Sequence, residues 1–451
     1  MKTNNRHELM TQTPVPELIV HLAVPTIISM LVTGIYNTAD TFFVGRISTQ
    51  ATAAVGLVFS VMAIIQAFGF FCGHGSGNYL SRALGAGREK EANEMASTGF
   101  AVALLIGACL AAVGILNLKR IALWVGATPT TLEDTMTYMR IILLGAPFMC
   151  GQFVINNQLR FQGSAVYAMI GLMCGAVMNM FLDPLLILVF HMGVAGAAIA
   201  TVAGQITSFI VLLIGSSKGE NIRLNIKNVR FNRTYLLGIL NGGAPSLLRQ
   251  GMAAVATLLL NTAAGNLGGD AAIAGMSIVT RILAMTVSAL IGFGQGYQPM
   301  CSYNYGAGLK RRVREGYFFC VKYGTIVLAV VSALCAIFAP QLISLFRKDP
   351  DVIAVGASAL RWQAAALPLM GTSVPSNMML QSIGKGVKAS ITSAARNGIF
   401  FIPLILILPR MFGLFGVEIT QAVADVFAFA LTVPMAASEL KKMKVDDDHR
   451  E

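Results

Sequence analysis

Charge is what this sequence has least of. Asp, Glu, Lys and Arg make up 12% of its 451 residues, about half the ~25% of an ordinary soluble protein. With hydrophobic residues at 55%, that shortage excludes a water-soluble globular chain of this length. Metal-binding cysteine patterns are also missing. The seven cysteines, at 72, 109, 150, 174, 301, 320 and 335, lie scattered in apolar runs, with no C-x-x-C and no Cys/His cluster. They read as small buried hydrophobes, without support for a disulfide framework or a zinc site. No signal peptide is expected, since residues 1–17 are polar and close on the Pro14/Pro16 pair.

What fills the chain instead is a series of apolar runs of about 20 residues, each long enough to cross a bilayer as a helix. Twelve start near Leu18, Ala51, Ser97, Thr131, Ala165, Val194, Tyr235, Ala272, Tyr317, Val352, Ala389 and Gly413. The expected fold is an all-α polytopic membrane protein of twelve transmembrane helices. Lys and Arg divide unevenly between its two sides. The N-terminal segment, the connections after even-numbered spans and the C-terminal segment hold 21, and the opposite side holds six. By the positive-inside rule both termini are cytoplasmic. The net charge of +12 therefore reads as an orientation signal near anionic lipid, and no nucleic acid partner is expected.

The two halves repeat. At an offset of 220, Pro25 meets Pro245 and Gly45 meets Gly265; at 221, "GHGSGNYLSRALGAG" meets "GQGYQPMCSYNYGAG", and Pro147 meets Pro368. Six spans per half place both repeats in the membrane with one orientation. They should be related by a pseudo-two-fold axis along the membrane normal, the arrangement of transporters built from parallel repeats. The expected organisation is an N-lobe over 1–215, a cytoplasmic linker over 216–234, a C-lobe over 235–438 and a cytoplasmic tail over 439–451. The series Gly69/Gly73/Gly77, Gly171/Gly175 and Gly292/Gly296 predicts close helix packing. The mid-span prolines, Pro25 among them, permit bending.

Few acids lie well inside spans: Asp40, Asp183, Glu418 and Asp425. No Lys or Arg lies mid-span in the first half to neutralise Asp40 and Asp183; the nearest, Arg140, sits on span 4. Asn179 and Asp183 share a face of span 5, and Tyr36, Asn37 and Asp40 share one of span 1. Span 6 adds Thr201, and span 4 adds Tyr138 as a phenol donor. Two carboxylates without a fixed cationic partner, among Asn, Thr and Tyr oxygens, suit a mobile cation, either Na⁺ on hard oxygen ligands or H⁺ on a desolvated carboxyl. Asp40, Asn179, Asp183 and Thr201 are the expected cation ligands; no other metal is expected. In the second half Asp425 has Arg281 and Arg361 as potential ion-pair partners. Asn156, Asn157, Asp425 and Arg281 are candidates for a further cavity or second site.

These residues resemble the multidrug and toxic compound extrusion (MATE) family over nearly the whole chain. The likeness rests on the 6+6 spans, on "VPTIISMLVTGIYNTADTFFVG" in span 1 and on the paired "GAG" ends after spans 2 and 8. It is strongest to the bacterial branch related to the DNA-damage-inducible and staphylococcal-type pumps. The resemblance implies a cation site in the N-lobe at Asp40, Asn179, Asp183 and Thr201, with Tyr138 donating to it and Pro25 bending span 1. The other main branch adds acids on spans 7 and 10, which this sequence lacks.

The expected function is a cation-coupled (H⁺ or Na⁺) antiporter, without cofactor or enzymatic activity. It would export lipophilic, mostly cationic compounds from a bacterial cytoplasmic membrane, as a monomer among lipids. Two alternatives carry signatures of their own. A flippase of a lipid-linked precursor in the same superfamily would line its cavity with several arginines. An intramembrane aspartyl protease would need a Gly-x-Gly-Asp motif, and Asp183 follows "MFL" instead.

Overall fold

Inside a bilayer each backbone amide must find its partner within the chain, and a helix is the local way to do so. The computed structural model describes the backbone of residues 4–448 and the side chains of 6–34 and 42–444, and its long elements are all helices. Among the described residues eleven helices are long and apolar enough to cross a membrane. One of them, Arg233–Gly306, runs for 74 residues, roughly 110 Å at 1.5 Å per residue, several times the thickness of a hydrocarbon core. Gly269 interrupts it, with φ 61° and ψ −152°, so this stretch contains spans 7 and 8 and the crossings number twelve.

The first six spans are Val15–Gly34, Thr49–Gly85, Glu89–Leu116, Leu132–Phe161, Ala165–Val189 and Gly193–Ser216. Spans 9 to 12 are Lys310–Ile337, Pro350–Ser382, Gly386–Phe412 and Leu414–Lys444. Most begin within a turn of the start expected from hydropathy. Spans 3 and 9 begin about two turns earlier, at Glu89 and Lys310. Hydropathy marks where hydrocarbon starts, whereas helical hydrogen bonding already holds in the polar layer before it. The polar N-terminal segment also differs from expectation. It contains a helix, Asn4–Gln12, and Met10 is fully buried, with its sulfur beside Gly163.

The chain divides into two compact units, one built on His21–Gly243 and the other on Ala244 onward with Pro14–Val20. Each repeats the other's local geometry. Gly87 and Gly308 both take a positive φ, 72° and 78°, and end their helices with the same pair of bonds. Gly87 N donates to Leu84 O and Arg88 N to Ala83 O; Gly308 N donates to Tyr305 O and Leu309 N to Asn304 O. Only glycine adopts this left-handed cap without strain, which explains the paired "GAG". A side-chain clamp is duplicated too. Asn156 Nδ2 donates to Ala168 O at 2.9 Å, and Asn377 Nδ2 donates to Ala389 O at 2.8 Å, each tying one span to the start of the next.

The glycine series work by admitting a neighbour. A methyl group on Gly69, Gly73 or Gly77 of span 2 would stand within 2.9, 2.8 or 2.3 Å of Phe153, Asn157 or Phe161 of span 4. Both series step by four residues, so one ridge of span 4 lies along one groove of span 2. Of the four mid-span prolines, Pro25, Pro147 and Pro245 sit within continuous helix, while Pro368 lies in a 3₁₀ turn, Leu367–Leu369, that interrupts span 10. No disulfide joins the cysteines among the described residues; five are buried, Cys174 is half-buried and Cys109 is exposed on span 3.

Candidate functional site

Span 1 carries a stripe of hydroxyls that begins beside Pro25. Thr26 Oγ1 donates to Leu22 O, Ser29 Oγ to Pro25 O and Thr33 Oγ1 to Ser29 O, at 3.0, 2.8 and 2.8 Å. Back-bonding of this kind to the carbonyl four residues earlier bends helices, and it surrounds the residue that has no amide proton to donate. The stripe continues in sequence towards Tyr36, Asn37 and Asp40, whose side chains lie outside the described residues.

Spans 5 and 6 meet through bare backbone. A Cβ on Gly175 would stand 2.6 Å from Gly204 O, and one on Gly204 would stand 2.8 Å from Gly175 O and 3.0 Å from Asn179 Cβ. One turn beyond this contact the span 5 face turns polar. Asn179 and Asp183 are 2% and 0% exposed, and Thr201 on span 6 is 5% exposed. Pro184 follows Asp183 directly and leads into a π-helical stretch, Leu185–Val189. Such π segments cluster at functional positions.

Asn179 and Thr201 line one cavity of about 60 Å³, together with Thr33 of span 1, Gln152 of span 4 and Gln205 and Ser208 of span 6. Its polar atoms include several oxygen acceptors, beside the donors Asn179 Nδ2 and Ser208 Oγ, which are buried without a hydrogen-bond partner among the described residues. Thr201 Oγ1 gives its proton to Ala197 O at 3.0 Å and Thr33 Oγ1 gives its own to Ser29 O, so both hydroxyls present lone pairs to the space. Asn179 Oδ1 and Gln152 Oε1 are buried without a hydrogen-bond partner among the described residues. Converging oxygen acceptors in an apolar shell attract a hard cation and repel an anion. Asp183 and Tyr138, both fully buried, belong to the interior of this same unit. Tyr138 packs in the core cluster that includes Ile187, Val194 and Ala197.

Asn156 and Asn157, expected as cavity candidates, are both buried and hydrogen-bonded within the helix bundle. Asn156 is the inter-span clamp already described. Asn157 lies against Gly73, donates to Phe153 O at 2.7 Å and accepts from Arg160 Nη2.

In the second unit the expected partners of Asp425 are replaced by one that hydropathy reading passed over. Arg281 is exposed on span 8, and Arg361, also exposed, donates to Ala336 O. The partner is Arg396 of span 11. Its Nε and Nη2 donate to the two carboxylate oxygens of Asp425 at 2.7 and 3.4 Å, and Gln421 Nε2 donates to Oδ1 at 2.9 Å. Arg396 lies within a second π-helical stretch, Ala395–Ile399. An arginine in the middle of a span was itself the signal, since a charge at that depth requires a partner. The pair borders a cavity of about 270 Å³ that also exposes Arg249, Asn377 and Thr392 and is walled by Val287, Ile291 and Met370 among others. Glu418, the remaining intramembrane acid, accepts from Ser358 Oγ.

A family model described as MatE matches residues 25–185 and 245–407. Multidrug export protein MepA of Staphylococcus haemolyticus is 27% identical over 432 residues, spanning 94% of each chain. A MOP superfamily transporter from Pyrococcus furiosus, described as having a binding pocket of reverse polarity that suggests a different function, superposes with a TM-score of 0.91. That match has 26% identity and covers 98% of this chain and 100% of the other. A MATE protein solved in a bent conformation is similar at a TM-score of 0.92 and 26% identity, covering 98% and 99%.

Proposed function

Because this chain belongs to the MatE family, and is accordingly a multi-pass membrane transporter with no enzymatic role, we propose that it exports multiple drugs by exchange for a cation. The resemblance to multidrug export proteins supports the export of several unrelated compounds. The inward ion is H⁺ or Na⁺, held at Asp40, Asn179, Asp183 and Thr201, with Tyr138 donating to the site. The expelled compounds are lipophilic cations. Their charge competes with the ion for the same acidic region, so each weakens the other's binding by the same factor.

The observation that carries this reading is the group of buried oxygen atoms gathered around the small cavity beside Asn179. Thr33 and Thr201 direct lone pairs into it, and Asn179 Oδ1 is buried there without a partner among the described residues. An ion entering from outside finds oxygen ligands already in position, and Asp183 on the same helix face lowers its energy further. Pro25 and the hydroxyl stripe around it give span 1 a place to bend when the charge of the site changes.

The lipid-linked flippase reading gains one observation, the two arginines of the second cavity. One of them, Arg396, is already matched by Asp425, and among the described residues no arginine lines the small cavity beside Asn179.

The test is ethidium efflux from proteoliposomes under a pure Na⁺ gradient and under a pure pH gradient. Asp183→Asn keeps size and hydrogen bonding, removes the charge and should leave the protein folded, because a neutral amide is cheaper to bury than a carboxylate. It is expected to abolish efflux under whichever gradient drives the wild type. Full gradient-driven efflux by Asp183→Asn and by Asp40→Asn, separately and together, would sink the proposal.

A further inference from the structure

The second unit's cavity has the opposite electrical character. Two guanidiniums, Arg249 and Arg396, and one carboxylate, Asp425, border it. Asp425 is fully engaged by Arg396 and Gln421. Arg249 has no ion-pair partner among the described residues; its one hydrogen bond runs from Nη1 to Asn377 Oδ1 at 3.5 Å. Asn377 cannot swing to do more. Its Nδ2 is held at 2.8 Å by Ala389 O, Thr392 Oγ1 and Ser393 Oγ. Arg249, on a helix of the membrane domain, borders a space walled on one side by aliphatic and thioether side chains and on the other by polar groups such as Ser373, Thr392 and the Arg396–Asp425 pair.

A guanidinium in that setting is costly until an opposite charge reaches it. Its planar donors match a carboxylate or phosphate bidentately. Val287, Ile291, Met370 and Val374 line the same cavity and offer a surface for an apolar body. From these features we infer that the cavity is a binding site for an amphiphilic oxyanion. Its carboxylate or phosphate sits on Arg249, and its hydrophobic part lies along spans 8 and 10. The site stands on residues of the second unit alone and is independent of the cation site in the first.

The probe is radiolabelled 2-naphthoate, with 2-naphthamide as its neutral isostere, on the full-length protein in phosphatidylcholine nanodiscs. Naphthoate should bind saturably, and the amide about tenfold more weakly or worse, as expected for loss of a charged hydrogen bond. Arg249→Gln should weaken naphthoate by a similar factor. Arg249→Lys keeps the charge without the fork and should fall between. Ala253→Phe, which fills the cavity without altering a charge, should remove binding. Should Arg249→Gln fail to fold, Arg249→Lys and Ala253→Phe decide. Repeating the assay with phosphatidylglycerol in the disc separates two sources of the anion: competition points to a lipid headgroup, and unchanged binding points to a soluble solute. Equal affinity for acid and amide, or wild-type binding in the folded Arg249 variants and in Ala253→Phe, would overturn the inference.

Discussion

A hydroxyl that has already donated its proton can only accept, and this decides the role proposed for Thr201. Thr201→Val preserves shape and removes the lone pairs, so ion affinity should drop about tenfold, the worth of one bond to a charged group. Thr201→Ser should restore it; a half-maximal Na⁺ or H⁺ concentration for ethidium efflux that stays unchanged in the valine variant would remove Thr201 from the site. The Arg396–Asp425 pair makes a second statement at this scale. Asp425→Ala leaves a guanidinium without its partner and should lower stability by about 3–5 kcal/mol, while Arg396→Met with Asp425→Leu should recover most of the loss. Thermal unfolding in detergent reads both. The sequence made Asn179, Asp183 and Thr201 legible as lone polar residues in apolar runs. It did not reveal the true partner of Asp425, because four arginines of the second half (Arg249, Arg281, Arg361 and Arg396) lie within spans and only the fold selects among them.

At the scale of elements, the contact between spans 5 and 6 depends on two glycines that face each other. Gly204→Val would drive a side chain into Gly175 O and Asn179, separate the helices and take the cavity with them. Its expected outcome is loss of folded protein on gel filtration. Gly251→Ala is the control, since nothing lies within 4 Å of a Cβ there; it should be neutral or slightly stabilising, by up to ~1 kcal/mol from helix propensity. Four-residue glycine spacing announced such packing in the sequence but not which helix would fill each groove. The π-helical stretches beside Asp183 and around Arg396 were not foreseen at all. They arise where a proline or a buried charge competes with the regular hydrogen-bond ladder, which no hydropathy window detects.

For the molecule as a whole, the inequality of Lys and Arg between the two sides predicts its orientation. Cysteines placed at Ser217 and Leu309, both exposed, should react with a membrane-impermeant maleimide only from the cytoplasm, and one at Gln50 only from outside. Gln50 lies just inside the span 2 helix, clear of Ser48, whose Oγ caps that helix by accepting from Ala51 N. The exposed Cys109 must first be replaced by Ser to remove background labelling. Labelling of position 217 from outside would reverse the assignment. The duplication itself was readable before any coordinates, because the residues that betray it (paired glycines and prolines) are those with no freedom to vary once a turn or a bend depends on them.

That selectivity has a consequence for ancestry. Across the two halves the cap glycines and the Asn156 and Asn377 clamps have kept their identity, yet the residues of the two cavities have not. At the same offsets Gly175 corresponds to Arg396, Ser29 to Arg249, Gln205 to Asp425, Asn179 to Phe400 and Asp183 to Leu404. Two copies that began as equals thus retained a common skeleton while their interiors drifted to opposite polarity. Exchanging cavity residues between the halves at these positions would retrace that divergence on the skeleton they share.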